Sequence, residues 1–241
     1  MNVPGNREEV TGSPAPSQRK EFSVTRRNLL FSAATASLIA VMITMLIGED
    51  AAGRPQAEAP SPEKMQEMMQ KWLATTSPGE QHKRLEAFVG SWKTKTRMWW
   101  AGPQGPATES EGTSEIQWIL GKRFIREEVK SVFPLPDKSG GMKKIPFEGI
   151  GLMGYDNYRK MYVGTWVDTM NTTILSMRGN ADPSGKVITT YGTMDEPMLG
   201  VIGRTVKYVS RVVDKNTCRF VMYDLHAGDD YKVMEIAYTR K

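Results

Sequence analysis

The sequence predicts an all-β domain, an antiparallel up-and-down barrel that follows one or two short helices and an apolar N-terminal segment. Between Gly90 and Lys241, about ten short runs rich in β-branched and aromatic residues alternate with turn residues. Most links between the runs are short enough to join antiparallel neighbours. Polar and apolar residues alternate within the runs, so each strand has one buried face. About ten one-faced strands bury that face by closing into a barrel.

The first 61 residues are predicted to direct the chain to a membrane. Residues 1–27 form a polar, basic tail without periodicity, which we expect to be disordered and cytoplasmic. Arg26 and Arg27 directly precede residues 28–47, an uncharged stretch long enough to cross a bilayer. This pattern resembles a twin-arginine export signal. Residues 48–61 are predicted to form a flexible linker.

Two outcomes remain open for this segment. An uncleaved anchor would hold the barrel on the periplasmic side of a bacterial inner membrane. A cleaved signal would release the barrel into the periplasm, and small residues at 51–53 and 57–59 offer two candidate cleavage sites.

Residues 62–89 are predicted to form a helical lead-in. Ser61 is a suitable N-cap and Pro62 a suitable first helical residue. An apolar stripe follows at helical spacing, formed by Met65, Met68, Met69, Trp72 and Leu73. The stripe fits packing on the same domain, a ligand lid or contact with a membrane surface.

A second short helix is predicted before the barrel. It carries His82 and Glu86 one turn apart, a spacing that suits either a metal or a surface and capping role. The barrel itself is predicted over residues 90–241. Its two longest links, residues 101–108 and 134–146, are expected to be mobile loops at the mouth.

Alternation also indicates which side chains line the inside of the barrel. On the strand that contains Trp166, both faces are apolar, so alternation leaves the inward face undecided. Asp224 and His226 are two residues apart and are expected to share a face. The predicted cavity-lining residues are Trp118, Tyr162, Trp166, Asp168, Tyr208, Asp224 and His226.

Composition and motifs exclude several classes of site. With only Cys218 available, the chain has no internal disulfide and no zinc site of the usual two-pair type. The formal net charge is +5, but the basic residues are spread along the chain, so nucleic-acid binding is not expected. No nucleophile elbow, phosphate-binding loop or zinc-protease helix occurs, and we assign no catalytic or metal-binding residue.

The residues at the two ends of the predicted barrel carry a family resemblance. Gly90-Ser91-Trp92 begins the first strand, and the last strand ends in Tyr238-Thr239-Arg240. This resembles the signature of calycins, the lipocalins and fatty-acid-binding proteins. The resemblance implies that Trp92 plugs the closed end and that Arg240 packs across its indole.

A longer set of segments narrows the resemblance. The stretches "HKRLEAFVGSW", "ILGKRFI", "FEGIGLMGYDNYRKMYVGTWVDTMNT" and "EIAYTR" together resemble the domain of unknown function 1579 family. The similarity covers about residues 80–241. It implies a lipocalin-like barrel and no settled activity.

Three functions follow as hypotheses. The first is an exported or membrane-tethered protein that binds a small apolar or amphipathic ligand in its barrel and needs no cofactor. The second is a haem- or metal-binding protein, or an enzyme, that uses His226 and Asp224 in the cavity. The third is an interaction module with a filled barrel. The sequence does not indicate an oligomeric state.

Overall fold

The computed structural model describes residues 60–138, 140–197 and 199–241. The predicted tail, the apolar segment 28–47 with Arg26 and Arg27, and most of the linker lie outside these residues. Within the described part of the chain, no helix is both long and apolar enough to span a membrane. The chain divides into two compact units, Met1–Met65 and Gln66–Lys241, and the second contains the barrel.

Short helices precede the barrel, as the sequence predicts. They are α1 (Pro62–Thr76), α2 (Glu80–Lys83) and a 3₁₀ turn (Arg84–Phe88). The hydroxyl of Ser61 accepts a hydrogen bond from the backbone N–H of Lys64 at 3.3 Å, which caps the start of α1. Against the rest of the described chain, no side chain of α1 is buried. Met69, Trp72 and Leu73 of its apolar stripe are about half exposed among the described residues.

The barrel has ten antiparallel strands. Each strand pairs with its neighbour in sequence, and β1 pairs with β10, which closes the sheet. This confirms the predicted antiparallel barrel. The strands are β1 (Gly90–Met98), β2 (Thr108–Ile119), β3 (Phe124–Pro136), β4 (Met142–Asp156), β5 (Met161–Asp168), β6 (Leu175–Ala181), β7 (Val187–Glu196), β8 (Val201–Asp214), β9 (Thr217–Asp224) and β10 (Lys232–Arg240).

The two ends of the barrel differ in their connections. We call the end at which β1 begins and β10 ends the closed end, and the opposite end the mouth. The mouth carries the link from β1 to β2, as predicted. The predicted loop 134–146 is mostly strand instead: Pro134 pairs with Lys144 and Pro136 with Met142, so only residues 137–141 form the link. The β3–β4 hairpin therefore extends further than its proline and glycine content suggests.

The closed end is sealed by side chains from the lead-in and from β1. Leu85 and Trp92 are fully buried, and the indole Nε1 of Trp92 donates to the carbonyl of Phe88 at 2.9 Å. The guanidinium of Arg240 lies over the indole of Trp92, 4.2 Å from the ring centroid. Gly90 has a φ of +139°, and a Cβ there would overlap the Arg240 guanidinium. Glycine is therefore required at the first position of β1.

Candidate functional site

A cavity of about 660 Å³ runs through the inside of the barrel. It extends from the loops of the mouth to Phe88, Trp92 and Tyr238 near the closed end. The inward-facing residues of β1 to β10 form its wall, because successive side chains of a strand point to opposite faces. The barrel is thus not filled by its own side chains.

The wall is rich in aromatic and methionine side chains. Trp100 packs edge-on against Phe133, and Phe133 stacks on Phe147, with ring centroids 5.8 and 6.0 Å apart. Methionine side chains are flexible and polarizable, so they adapt to ligands of different shape. Seven methionines line the cavity: Met98, Met153, Met170, Met177, Met194, Met222 and Met234.

Two glycines of β4 explain how Trp166 fits into the wall. A Cβ at Gly149 would overlap the indole of Trp166, and one at Gly151 would lie only 3.0 Å from it. The indole therefore lies flat against the backbone of β4 and leaves the space in front of it open. Its Nε1 donates to the carboxylate of Asp168 at 2.8 Å, which fixes the ring near the mouth.

A buried ion pair lies at the mouth. Arg204 on β8 contacts the carboxylate of Asp224 at the end of β9, and their side chains are only 15% and 13% exposed. The second oxygen of Asp224 accepts the backbone N–H of His226 at 3.0 Å. The Nε of Arg204 is buried and has no hydrogen-bond partner among the described residues. The charge of Arg204 is thus neutralised, while one of its donors stays unused.

Tyr208 presents a second unused polar group, near the middle of β8. Its side chain points into the barrel, is only 4% exposed and stacks on Phe220. Its hydroxyl has no partner in the part of the chain that the structure describes. Burial raises the pKa of Tyr208 to about 12, so the phenol stays neutral at physiological pH.

Glu127 on β3 is a polar group in the inner part of the cavity. Its Oε1 accepts hydrogen bonds from the hydroxyls of Ser114 at 2.7 Å and Tyr238 at 3.2 Å. Burial raises the pKa of Glu127, and the two hydrogen bonds oppose this shift. Burial likewise holds the pKa of Tyr238 well above its usual value, with the neighbouring Glu127 acting in the same direction.

The structure separates the predicted lining residues into two groups. Trp166, Asp168, Tyr208 and Asp224 line the cavity. The other three predicted residues do not line the cavity in the described part of the chain: Trp118, Tyr162 and His226.

Trp118 and Tyr162 contact the lead-in instead of the cavity. The Nε1 of Trp118 donates to Glu86 at 2.6 Å in an outer groove beside the lead-in. Tyr162 is 1% exposed, and its hydroxyl donates to the backbone carbonyl of Gln81 at 2.9 Å. Both side chains therefore hold the lead-in against the barrel.

His226 is exposed in the link after β9. The expectation that it shares a face with Asp224 is wrong, because β9 ends at Asp224 and strand alternation stops there. Across residues 60–138, 140–197 and 199–241, no three metal-ligating side chains form a cluster. The Nδ1 of His82 accepts the backbone N–H of Gly79 at 3.1 Å, which is a capping role.

Glu127 and Arg204 are lining residues that the sequence interpretation missed. A signal was present for Glu127. Ile125, Glu127 and Val129 occupy the inward phase of β3, and the charged residues Arg126 and Glu128 occupy the outward phase. A carboxylate in the apolar phase of a strand indicates an inward-facing polar group.

Comparison with solved structures finds matches at low sequence identity and with TM-scores below 0.5. Rv2717c from M. tuberculosis is 12% identical, with 68% of this chain and 99% of that chain aligned and a TM-score of 0.46. The S-type phycobiliprotein lyase CPES from Guillardia theta is 9% identical over 68% and 98% of the two chains, with a TM-score of 0.42. A de novo designed fluorescence-activating β-barrel is 13% identical over 65% and 95%, with a TM-score of 0.33.

Among curated proteins, none matches this chain in sequence. One family model does match, over residues 77–240, which is the barrel together with the end of the lead-in. The chain therefore belongs to the family described as "Protein of unknown function (DUF1579)".

Proposed function

We propose that the barrel binds one small apolar or amphipathic molecule in its interior cavity. The observation that carries this proposal is the cavity itself, which occupies about 660 Å³ between the mouth and Trp92. Ligand sites in proteins commonly enclose between about 300 and 1,000 Å³ and are mostly apolar, with a few polar groups that orient the ligand. Glu127, Tyr208 and the Arg204–Asp224 pair supply such groups.

The size of the cavity favours this function over a filled interaction module. Protein interiors normally pack without voids larger than a water molecule, because empty space forfeits dispersion contacts. A wall of flexible methionines could collapse into a smaller space, yet the glycines behind Trp166 keep its ring against the wall. The interior is thus built to stay open.

A cavity-filling variant tests the proposal. Thr96 on β1 lines the cavity, and Thr96→Trp would project an indole into it. Lys95 is the next residue, points outward and is half exposed, so Lys95→Trp is the matched control. We expect quenching of tryptophan fluorescence by 2-methylanthracene in the natural protein and in Lys95→Trp, and at least a tenfold weaker affinity in Thr96→Trp.

Organic extraction and mass spectrometry of the purified protein complement this measurement. A small molecule that co-purifies with the natural protein and with Lys95→Trp, but not with Thr96→Trp, supports the proposal. Equal probe binding by all three proteins would place the probe outside the barrel and contradict it.

We further propose that the protein acts on the outer side of a bacterial inner membrane, tethered or exported. The support lies in the sequence, where Arg26 and Arg27 precede the uncharged residues 28–47. Fractionation of cells that express the natural chain and the Arg26→Lys/Arg27→Lys variant tests this. We expect the natural barrel in the membrane or periplasmic fraction, and export to be lost in the variant.

A further inference from the structure

We infer that the inner end of the cavity recognises an uncharged ligand group with a hydrogen-bond acceptor, such as a carbonyl, and that Glu127 is the donor, in its neutral form. This inference rests on the proposed binding function and specifies the ligand class. Its evidence is the hydrogen bonding of Glu127 and the distribution of charge along the cavity.

The hydrogen bonds of Glu127 indicate which of its two oxygens carries the proton when the group is neutral. Oε1 accepts two hydrogen bonds, from Ser114 and from Tyr238. Two hydroxyls that donate to Oε1 occupy both of its lone pairs. A neutral Glu127 therefore carries its proton on Oε2. Both hydrogen bonds of the Glu127 side chain among the described residues go to Oε1, which leaves Oε2 without a partner there. Glu127 also lines the cavity. A carboxylic acid O–H is thus available to a ligand.

The surroundings of Glu127 favour the neutral acid. In the strand register, Glu127 lies between Ile116 of β2 and Gly151 of β4. The titratable groups that face it are Tyr238 from β10 and, beside Tyr238, Cys218 from β9. No cation in the described structure pairs with Glu127. Burial accordingly raises its pKa.

The same charge distribution disfavours a ligand with a carboxylate at this end. The charges of the two lining arginines are already paired, Arg204 with Asp224 and Arg219 with Glu235. A carboxylate next to Glu127 would be a buried charge without a partner, which is costly. An ammonium group would also be buried, and the hydroxyls of Ser114 and Tyr238 beside Glu127 already donate to the carboxyl group. A buried ion pair without further hydrogen bonds gains little.

A matched series of fluorescent probes separates these classes. The probes are 2-methylanthracene, 2-acetylanthracene, anthracene-2-carboxylate and 2-(aminomethyl)anthracene, which share one apolar body. Their affinities are measured by tryptophan quenching with the full-length purified protein between pH 5 and 8. At pH 5 we expect 2-acetylanthracene to bind about three- to tenfold more tightly than 2-methylanthracene, because it gains one hydrogen bond. The advantage falls as pH rises, because an ionised Glu127 cannot donate.

Glu127→Gln is the diagnostic variant. Its side-chain oxygen can accept from Ser114 and Tyr238 while its amide donates to the ligand at every pH. We expect this variant to keep the preference for 2-acetylanthracene and to lose the pH dependence. Glu127→Leu should bind 2-methylanthracene at least as well as the natural protein does and show no preference for the acetyl probe.

Three results would overturn the inference. Tightest binding of the amine probe, abolished by Glu127→Gln, would show that Glu127 binds as a carboxylate. Equal binding of the methyl and acetyl probes at every pH would show that Glu127 donates no hydrogen bond to the acetyl group. The proposed binding function would be unaffected by that result. Failure of every probe to bind would contradict the binding function, and this inference with it.

Discussion

The closed end and the mouth of the barrel are built from the same ten strands but differ in how their polar groups are satisfied. At the closed end, Trp92 and Arg240 donate to the backbone carbonyls of Phe88 and Val89, both at 2.9 Å. Towards the mouth, buried donors of Arg204 and Tyr208 lack partners among the described residues. Buried polar groups are normally paired, so unpaired ones mark positions with another role.

The two ends differ in their apolar residues as well. The side chains that seal the closed end from within, Leu85 and Trp92, are fully buried, whereas Ile174, Leu199 and Ile202 are exposed around the mouth. The outer links of the closed end also expose apolar side chains, Leu120 and Tyr158. The difference indicates two roles: the seal at the closed end supplies folding stability, and the cavity between the seal and the mouth keeps space and polar groups for a ligand. Sites of this kind commonly cost stability that other regions must supply.

Tryptophan substitutions at the two ends give the largest expected contrast. Trp92→Ala removes a fully buried indole and should lower the free energy of unfolding by about 3–5 kcal/mol. Trp100→Ala at the mouth removes a half-exposed indole that packs against Phe133 and should cost less, about 1–2 kcal/mol. Urea denaturation of both variants measures this. Equal losses would show that stability is not concentrated at the closed end.

Arg204→Met tests whether any part of the mouth contributes strongly to stability. The substitution leaves Asp224 buried without its ionic partner and should cost about 2–3 kcal/mol, somewhat less than for a fully buried pair. In the double variant Arg204→Met/Asp224→Asn no lone charge remains, and most of the loss should be recovered. A loss in the double variant as large as in Arg204→Met would assign the effect to packing rather than to charge.

The contrast between the ends also explains which features the sequence could predict. Strand number, antiparallel order and the inward face of most strands follow from alternation and link length, which are local properties. The strand with Trp166 is an exception, because both of its faces are apolar. Trp118 shares the inward phase of β2 with Ile116, yet it lies in an outer groove beside the lead-in. Alternation gives the face of a residue but not its depth along the barrel axis. Depth depends on strand tilt and on where the helices seal the barrel.

Glu127→Gln should change how stability depends on pH. The folded pKa of Glu127 is raised, so the folded chain keeps this proton at pH values where the unfolded chain has lost it. The contribution of Glu127 is fully present below the unfolded pKa of about 4.3 and is lost as pH rises through the folded pKa. Over that window, the natural protein should lose up to about 1.4 kcal/mol per pH unit relative to Glu127→Gln. Denaturation midpoints of both proteins from pH 4 to 8 give this difference.

Tyr208→Phe gives the smallest expected change. It tests directly whether a polar group that lines the cavity contributes to folding stability. The substitution removes only the hydroxyl, which is buried and has no partner among the described residues. Leaving a buried polar group unpaired costs about 1–3 kcal/mol, and the stacking of the ring on Phe220 is kept. We therefore expect Tyr208→Phe to be as stable as the natural protein or up to about 1 kcal/mol more stable.

The matched control at the closed end is Tyr162→Phe. The hydroxyl of Tyr162 donates to the carbonyl of Gln81, so its removal should destabilise the protein by about 1 kcal/mol. Opposite signs for the same chemical change at two buried tyrosines would show that the hydroxyl of Tyr208 does not serve folding. Destabilisation of both variants by the same amount would mean that the Tyr208 hydroxyl has a structural partner, such as a bound water. The buried polar group of Tyr208 would then be hydrogen-bonded, as the polar groups of the closed end are.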